Sequence, residues 1–213
     1  FSFEASTDDR YNSTVTMPDK VKLLRFAVVL GANASGKSNL LEAIEFLRVF
    51  WNKTPMKNDE GTDVQPFLMQ PNALNYDTEM EVSIYVEGVR YLYQLIINPE
   101  KVVGETLFVY NTNRPTRIFT RQDVNDISKL TFNSAVVKLS QAEVDVLSIN
   151  CLRNMSLLAV LKKVNVEVAY VSKLRNWIDQ RMMPLQKGTA AVISQTTKSM
   201  ISDDEDFKEY LLM

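Results

Sequence analysis

Histidine is absent from all 213 residues, and cysteine occurs once, at Cys151. Without histidine, Ser-His-Asp and Cys-His catalysis are excluded, as are zinc-metalloprotease motifs and most zinc sites. Any chemistry must rest on Lys, Asp, Glu, Ser, backbone amides or a bound metal. A single cysteine cannot form an intramolecular disulfide and favours a reducing compartment, so a cytoplasmic location is expected. No apolar run approaches the roughly 20 residues a membrane helix needs; Phe26-Ala27-Val28-Val29-Leu30 and Ser156 to Leu161 are core-sized. No secretory signal is visible, and the chain begins at Phe1. A basic excess is missing too. The net charge is -2, whereas proteins that live on nucleic acid carry a basic surplus or stripe. DNA binding therefore has no support in the overall charge.

What is present is ordinary in bulk and specific in one place. Hydrophobic residues make up 46% of the chain and charged residues 23%, the composition of a globular protein. The specific place is Gly31-Ala32-Asn33-Ala34-Ser35-Gly36-Lys37-Ser38, which matches G-x-x-x-x-G-K-[ST] at every fixed position. The apolar stretch Leu23 to Leu30 before it reads as a buried parallel strand. After it, apolar residues at 40, 41, 44 and 47 fall on one helical face, with Glu42, Glu45 and Arg48 turned away. Strand, loop and helix are the context in which such a loop cradles phosphate. Gly31 and Gly36 allow a tight turn and close approach. The loop N–H groups and the helix N-terminus together make an anion site. Lys37 is expected to reach the β- and γ-phosphates of ATP, and Ser38 to ligate Mg2+. The expected nucleotide-binding set is Gly31, Asn33, Ala34, Ser35, Gly36, Lys37, Ser38 and Asn39, with Lys37 as the catalytic residue and Ser38 as the metal ligand.

The wider string Gly31 to Ile44, with Asn33, Asn39 and Leu40-Leu41-Glu42-Ala43-Ile44, resembles ABC-type ATPases of the SMC and RecF kind. The resemblance is closest to stand-alone ATPases related to the overcoming-lysogenization-defect family, also described as AAA-type or abortive-infection ATPases. Ala34 supports that narrower choice, because SMC and RecF relatives usually carry glycine there. Phe1 to Ser6 looks like the tail of that group's opening strand region, and Val86 to Tyr93 with Val103 to Tyr110 like its β-rich insertion. The resemblance implies an ATP-binding head that pairs with a second head, ATP being sandwiched between them in a homodimer. By analogy alone it implies a role in DNA maintenance or phage defence.

Three parts of such a head are not found, and the switch histidine is one of them, since the chain has no histidine. No apolar strand ends in Asp-Glu; Ser83-Ile84-Tyr85-Val86-Glu87 is nearest, but the alternation around Glu87-Gly88 reads as a β-hairpin. Leu139-Ser140-Gln141-Ala142-Glu143 lacks the signature glycines and reads as a capping box. The simplest expectation is the N-terminal portion of a longer ATPase, truncated before its second catalytic half. Gln65, Gln70 and Gln141 are each candidates for the γ-phosphate sensor, with a surface amide the default for all three.

The expected fold is α/β: a P-loop NTPase core over 1–51, a polar loop over 52–77, an antiparallel β-meander over 78–133, and helices over 140–213. Met155, Met182 and Met183 are expected to fill gaps in the core, and Trp51 and Trp177 to pack on helix faces. Asp203-Asp204-Glu205 reads as a solvated helix N-terminus, and 206–213 as an amphipathic helix. Three functions compete: an ATPase that works as a dimer, a nucleotide-gated module that recruits an effector protein with little hydrolysis, and a P-loop kinase. The kinase is disfavoured because Arg114-Pro115-Thr116-Arg117 is a thin substitute for an arginine-rich lid.

Overall fold

A computed structural model describes residues 1–5, 14–57, 59–69, 72, 75–125 and 127–183. The acidic run at 203–205, the segment 206–213 and Gln70 lie outside the described residues. The chain divides into two compact units, one holding the described part of Phe1–Glu42 and the other Ala43–Met183.

In the second unit five strands follow one another in sequence and in space: β3 (Thr78–Val86), β4 (Val89–Ile97), β5 (Val102–Tyr110), β6 (Thr116–Val124) and β7 (Ile127–Phe132). All neighbours are antiparallel, in the order β3-β4-β5-β6-β7, as expected of a meander with short connections. The β3–β4 turn is Glu87-Gly88, both at positive φ (50° and 77°). This is the two-residue hairpin turn whose twist matches the flanking strands, and glycine adopts it without strain. Alternation decides which side is buried. Ile84, Val86, Tyr91, Tyr93, Leu95, Leu107 and Val109 are buried, while Glu81, Ser83, Leu92, Gln94, Thr106 and Phe108 keep solvent access. The period breaks at two register shifts, between Ile96 and Ile97 and between Leu107 and Phe108; at the second, adjacent Ile118 and Phe119 are both buried. A bulge re-aims side chains in this way.

Helices cover the buried face. α2 (Gln141–Asn150) begins at the expected capping box: Ser140 accepts from the Glu143 N–H, and the Glu143 carboxylate accepts from the Ser140 N–H at 2.7 Å. These bonds to the ionised form hold the Glu143 carboxyl below its usual range. α3 (Leu157–Lys163) has Leu157, Leu158, Ala159 and Val160 fully enclosed, so its stability comes from burial and not from its length. α4 (Val171–Arg181) inserts Val171, Leu174 and Ile178. Met155 and Trp51 are in this core, and Trp177 packs against it. Met183, by contrast, is exposed, a correction to its expected core role. It follows the C-cap of α4, beyond the last turn that points side chains inward.

A buried polar cluster ties sheet to helices. Glu105 on β5 and Arg121 on β6 are register partners, both fully enclosed and 3.6 Å apart. The Glu105 carboxylate accepts from Tyr93 Oη (2.9 Å), Ser156 Oγ (2.6 Å) and the Leu157 N–H (2.9 Å). Arg121 donates to the carbonyls of Leu152 and Met155 and to Ser128 Oγ. Two charges leave water only if nearly every lone pair and proton is matched, and here they are. Burial, with the nearby Glu105 charge, pushes the Tyr93 phenol well above its ordinary range, so it stays a donor.

The first unit differs from expectation. Its regular structure is a small antiparallel pair, β1 (Thr14–Thr16) with β2 (Lys22–Leu24), extended by a bridge from Glu4 to Leu23. The expected strand over 23–30 is realised only in its first residues. Phe26 to Leu30 is not strand, and Phe26, Val28, Val29 and Leu30 are exposed. A segment apolar on both faces becomes a strand only between two neighbours, and no described strand flanks Ala27 to Leu30. The antiparallel insertion and following helices of the expected α/β fold are therefore present, whereas its parallel core sheet does not form among the described residues.

Candidate functional site

The loop from Gly31 to Gly36 passes through a turn at Asn33-Ala34 and enters α1 (Lys37–Phe50) directly. Ala34 and Gly36 both have positive φ, 62° and 85°. These two residues reverse the chain so that the loop curls over the helix start. Gly36 does so freely, whereas Ala34 carries a Cβ into a region costing roughly 1–2 kcal/mol. At Gly31 a Cβ would sit 2.8 Å from Ser35 Oγ, so a side chain there would displace the Ser35 hydroxyl from its place beside Lys37. The turn closes with the Ser35 N–H donating to Ala32 O at 3.3 Å, and the helix with the Leu40 N–H donating to Gly36 O at 3.2 Å.

Because Leu40 makes that first bond, the N–H groups of Lys37, Ser38 and Asn39 have no carbonyl one turn back within the helix. They sit at the positive end of the α1 macrodipole. The Lys37 ammonium folds back over the loop and donates to Gly31 O (2.8 Å), Ala32 O (2.6 Å) and, more weakly, Ser35 Oγ (3.4 Å). A cation and a set of free amide donors thus lie together at the exposed start of α1. Gly31, Asn33, Ala34, Ser35, Gly36, Ser38 and Asn39 are all solvent-facing, and nothing about the donor set conflicts with a triphosphate. The Ser38 hydroxyl, one residue past Lys37 on the first turn, is a hard oxygen of the kind magnesium prefers.

The same helix leaves part of its apolar face uncovered. Leu47 and Phe50 are buried, but Leu41 and Ile44 are exposed. Glu45 and Arg48 pair at 2.6 Å on the flank, which keeps the Arg48 guanidinium charged.

Other residues resolve more simply. Glu87 is in the hairpin turn and is paired with Lys173 at 2.7 Å, so it does not terminate a strand in a nucleotide site. Gln141 donates to Asp145 Oδ1 on its own helix, and Gln65 is exposed. The Cys151 thiol is buried and pushed up to about 12, chiefly by loss of solvation, so it is not a thiolate nucleophile. Among the described residues, no group of three or more acidic or cysteine side chains could hold a metal ion. No helix among them is long and apolar enough to cross a membrane.

Residues 26–178 match the family described as "AAA domain, putative AbiEii toxin, Type IV TA system", so the match covers the loop, the sheet and most of the helices. The chain belongs to this family of P-loop AAA domains. No curated protein and no solved structure matches it. Family membership places the Gly31–Ser38 motif in a P-loop ATPase setting; the antiparallel sheet and the helices after it are part of the same AAA domain.

Proposed function

We propose that this AAA domain binds ATP with Mg2+ at Gly31–Asn39 and forms the nucleotide-binding part of an ATPase head that hydrolyses ATP when two heads close on it. The observation that carries this reading is the convergence of Lys37 Nζ and the free N–H groups of the first α1 turn on one exposed loop. An arriving triphosphate gives the ammonium better acceptors than the Gly31 and Ala32 carbonyls, because bonds between two charged groups are about twice as strong as those with one neutral partner. Lys37 then exchanges its acceptors for β- and γ-phosphate oxygens. Loop amides orient the chain of phosphates, and Ser38 Oγ offers an oxygen to the cation. Magnesium, when bound, neutralises charge developing between the β- and γ-phosphates.

The resemblance of Gly31 to Ile44 to SMC- and RecF-like heads, closest to the overcoming-lysogenization-defect group, supports the sandwiched dimer. The family description names a toxin of a type IV toxin–antitoxin system, which favours phage defence over DNA maintenance as the setting. The exposed apolar residues Phe26, Val28, Val29 and Leu30 offer a surface that a neighbouring strand would cover. On this reading, the 213-residue chain binds ATP but turns it over slowly.

Titration calorimetry on Lys37→Ala tests the reading. The expected result is a loss of ATP affinity on the order of 100-fold, the worth of one or two charge-assisted hydrogen bonds, with melting without nucleotide unchanged. Equal ATP binding by the two proteins would overturn it. Fast, Lys37-dependent turnover by the 213-residue chain would show instead that a catalytic carboxylate already lies within it.

A further inference from the structure

The face of the five-stranded sheet turned away from the helices has a composition that neither the core nor the ATP site uses. At the end of the sheet nearest the β3–β4 and β5–β6 turns, two cross-strand rows lie side by side. Arg90 pairs with Tyr110 in one row. Leu92 pairs with Phe108 and Phe108 with Arg117 in the next. All keep solvent access. The Arg90 guanidinium lies 4.7 Å from the Tyr110 ring centroid, a stacked pair of planar groups. It also donates to Ser83 Oγ across 3.3 Å, a long bond to a neutral acceptor. Arg114, in the β5–β6 turn, and Arg117 are exposed and have no carboxylate partner among the described residues. Among the described residues, the strand carboxylates of this face, Glu79 and Glu81, stand at the opposite end of β3, where Gln94 donates to Glu81; Glu87, in the β3–β4 turn at the near end, is neutralised by Lys173. The overall charge of -2 thus conceals a segregated, locally cationic, aromatic surface.

We infer that this end of the open sheet face binds a single-stranded polynucleotide, with bases stacking on Phe108 and on the outer plane of the Arg90 guanidinium that covers Tyr110, and phosphates meeting Arg114 and Arg117. Flat aromatic side chains on an open sheet offer every base a π-face, and arginines around them track the backbone. Phe108 and Tyr110 are alternate residues of β5 on one face, about 6.6 Å apart along the strand, so consecutive bases of an extended single strand reach Phe108 and the Arg90–Tyr110 stack. A duplex, whose bases are already stacked, cannot use the rings. A second copy of the sheet is disfavoured because a two-fold contact sets the same patch against itself, and facing arginines repel. The site does not depend on the ATP reading, since no residue of Gly31–Asn39 takes part.

The test is fluorescence anisotropy with the 213-residue chain and fluorescein-labelled 15-mers of deoxythymidine and of uridine, beside a 15-base-pair duplex. Both single strands are expected to bind at low salt, and the duplex more weakly. Preference for one strand chemistry would say whether DNA or RNA is the natural source. The double variant R114E/R117E, altered only at exposed side chains, is expected to lose at least ~20-fold in affinity. Its plot of log affinity against log salt should flatten by about 0.7 for every phosphate that the parent neutralises and the variant does not. Tyr110→Leu keeps apolar volume and is expected to lose roughly tenfold while leaving the salt slope unchanged. Three results would each overturn the inference: no binding of either strand at 50 mM salt (about the low end of the usual titration range); binding that R114E/R117E retains; or displacement of the strand by poly-glutamate at equal charge, which would mark a site for acidic polypeptide.

Discussion

Leu107 and Leu30 are the same residue in comparably apolar stretches, yet one is fully enclosed and the other is 86% exposed. Leu107 is in β5, between β4 and β6, and its side chain meets the helices over that face. Leu30 has no described strand on either side. The β-meander is built from neighbours in sequence, each strand a short turn from the next, so its burial completes itself. The loop segment is apolar on both faces, and a strand of that kind needs a neighbour on each side, which no described strand supplies. One part of the chain therefore encloses its apolar residues. The other presents a formed phosphate loop on uncovered apolar surface.

The sharpest way to break the comparison is through the buried ion pair, which has no counterpart in the described part of the loop unit. Arg121→Leu removes one charge and leaves Glu105 enclosed without its cation, and also strips donors from the Leu152 and Met155 carbonyls. The expected cost is about 3–5 kcal/mol by urea denaturation, enough to threaten the whole second unit. The double variant E105L/R121L should recover much of that loss, because neither charge is then stranded. A single variant within 1 kcal/mol of the parent (about the median effect of any substitution) would mean that water reaches the pair.

A matched truncation then measures the two regions directly. Leu107→Ala is expected to cost about 2–5 kcal/mol through lost transfer energy and the cavity left behind. Leu30→Ala should stay within about 0.5 kcal/mol, as surface changes do. If Leu30→Ala costs as much as Leu107→Ala, the run from Phe26 to Leu30 is covered in solution, and the contrast disappears. If it is neutral without nucleotide but destabilising in saturating ATP, nucleotide draws that run into a packed sheet.

The features legible in sequence are those decided within a few residues. The Glu87-Gly88 hairpin follows from turn chemistry and flanking alternation, and the Ser140–Glu143 box from a four-residue pattern. The loop Gly31–Ser38 follows from a fixed spacing of glycines and lysine. Features that need distant partners were not legible. Nothing near Glu105 in the chain says that a carboxylate will be enclosed, since its arginine is 16 positions away on the next strand. The uncovered state of Leu41 and Ile44 is invisible for the same reason. Helical spacing states which face is apolar and is silent on whether anything lies against it.

The smallest expected effect falls on the one residue where the loop breaks a local rule. Ala34 holds φ at 62°, a conformation that glycine adopts freely and alanine does not. Ala34→Gly removes that strain but adds freedom to the unfolded chain, so the net change in stability should be about 1 kcal/mol or less. Its effect on ATP affinity separates two roles for the methyl group. If strain only resists the curled loop, the glycine variant binds ATP up to a few-fold more tightly. If the methyl stiffens the loop in its binding shape, affinity falls by a similar factor, because a floppier loop must be ordered when phosphate arrives. Calorimetry on the same preparation used for Lys37→Ala distinguishes the two by sign, and the first outcome is expected because Gly36 already leaves the turn its freedom two residues on.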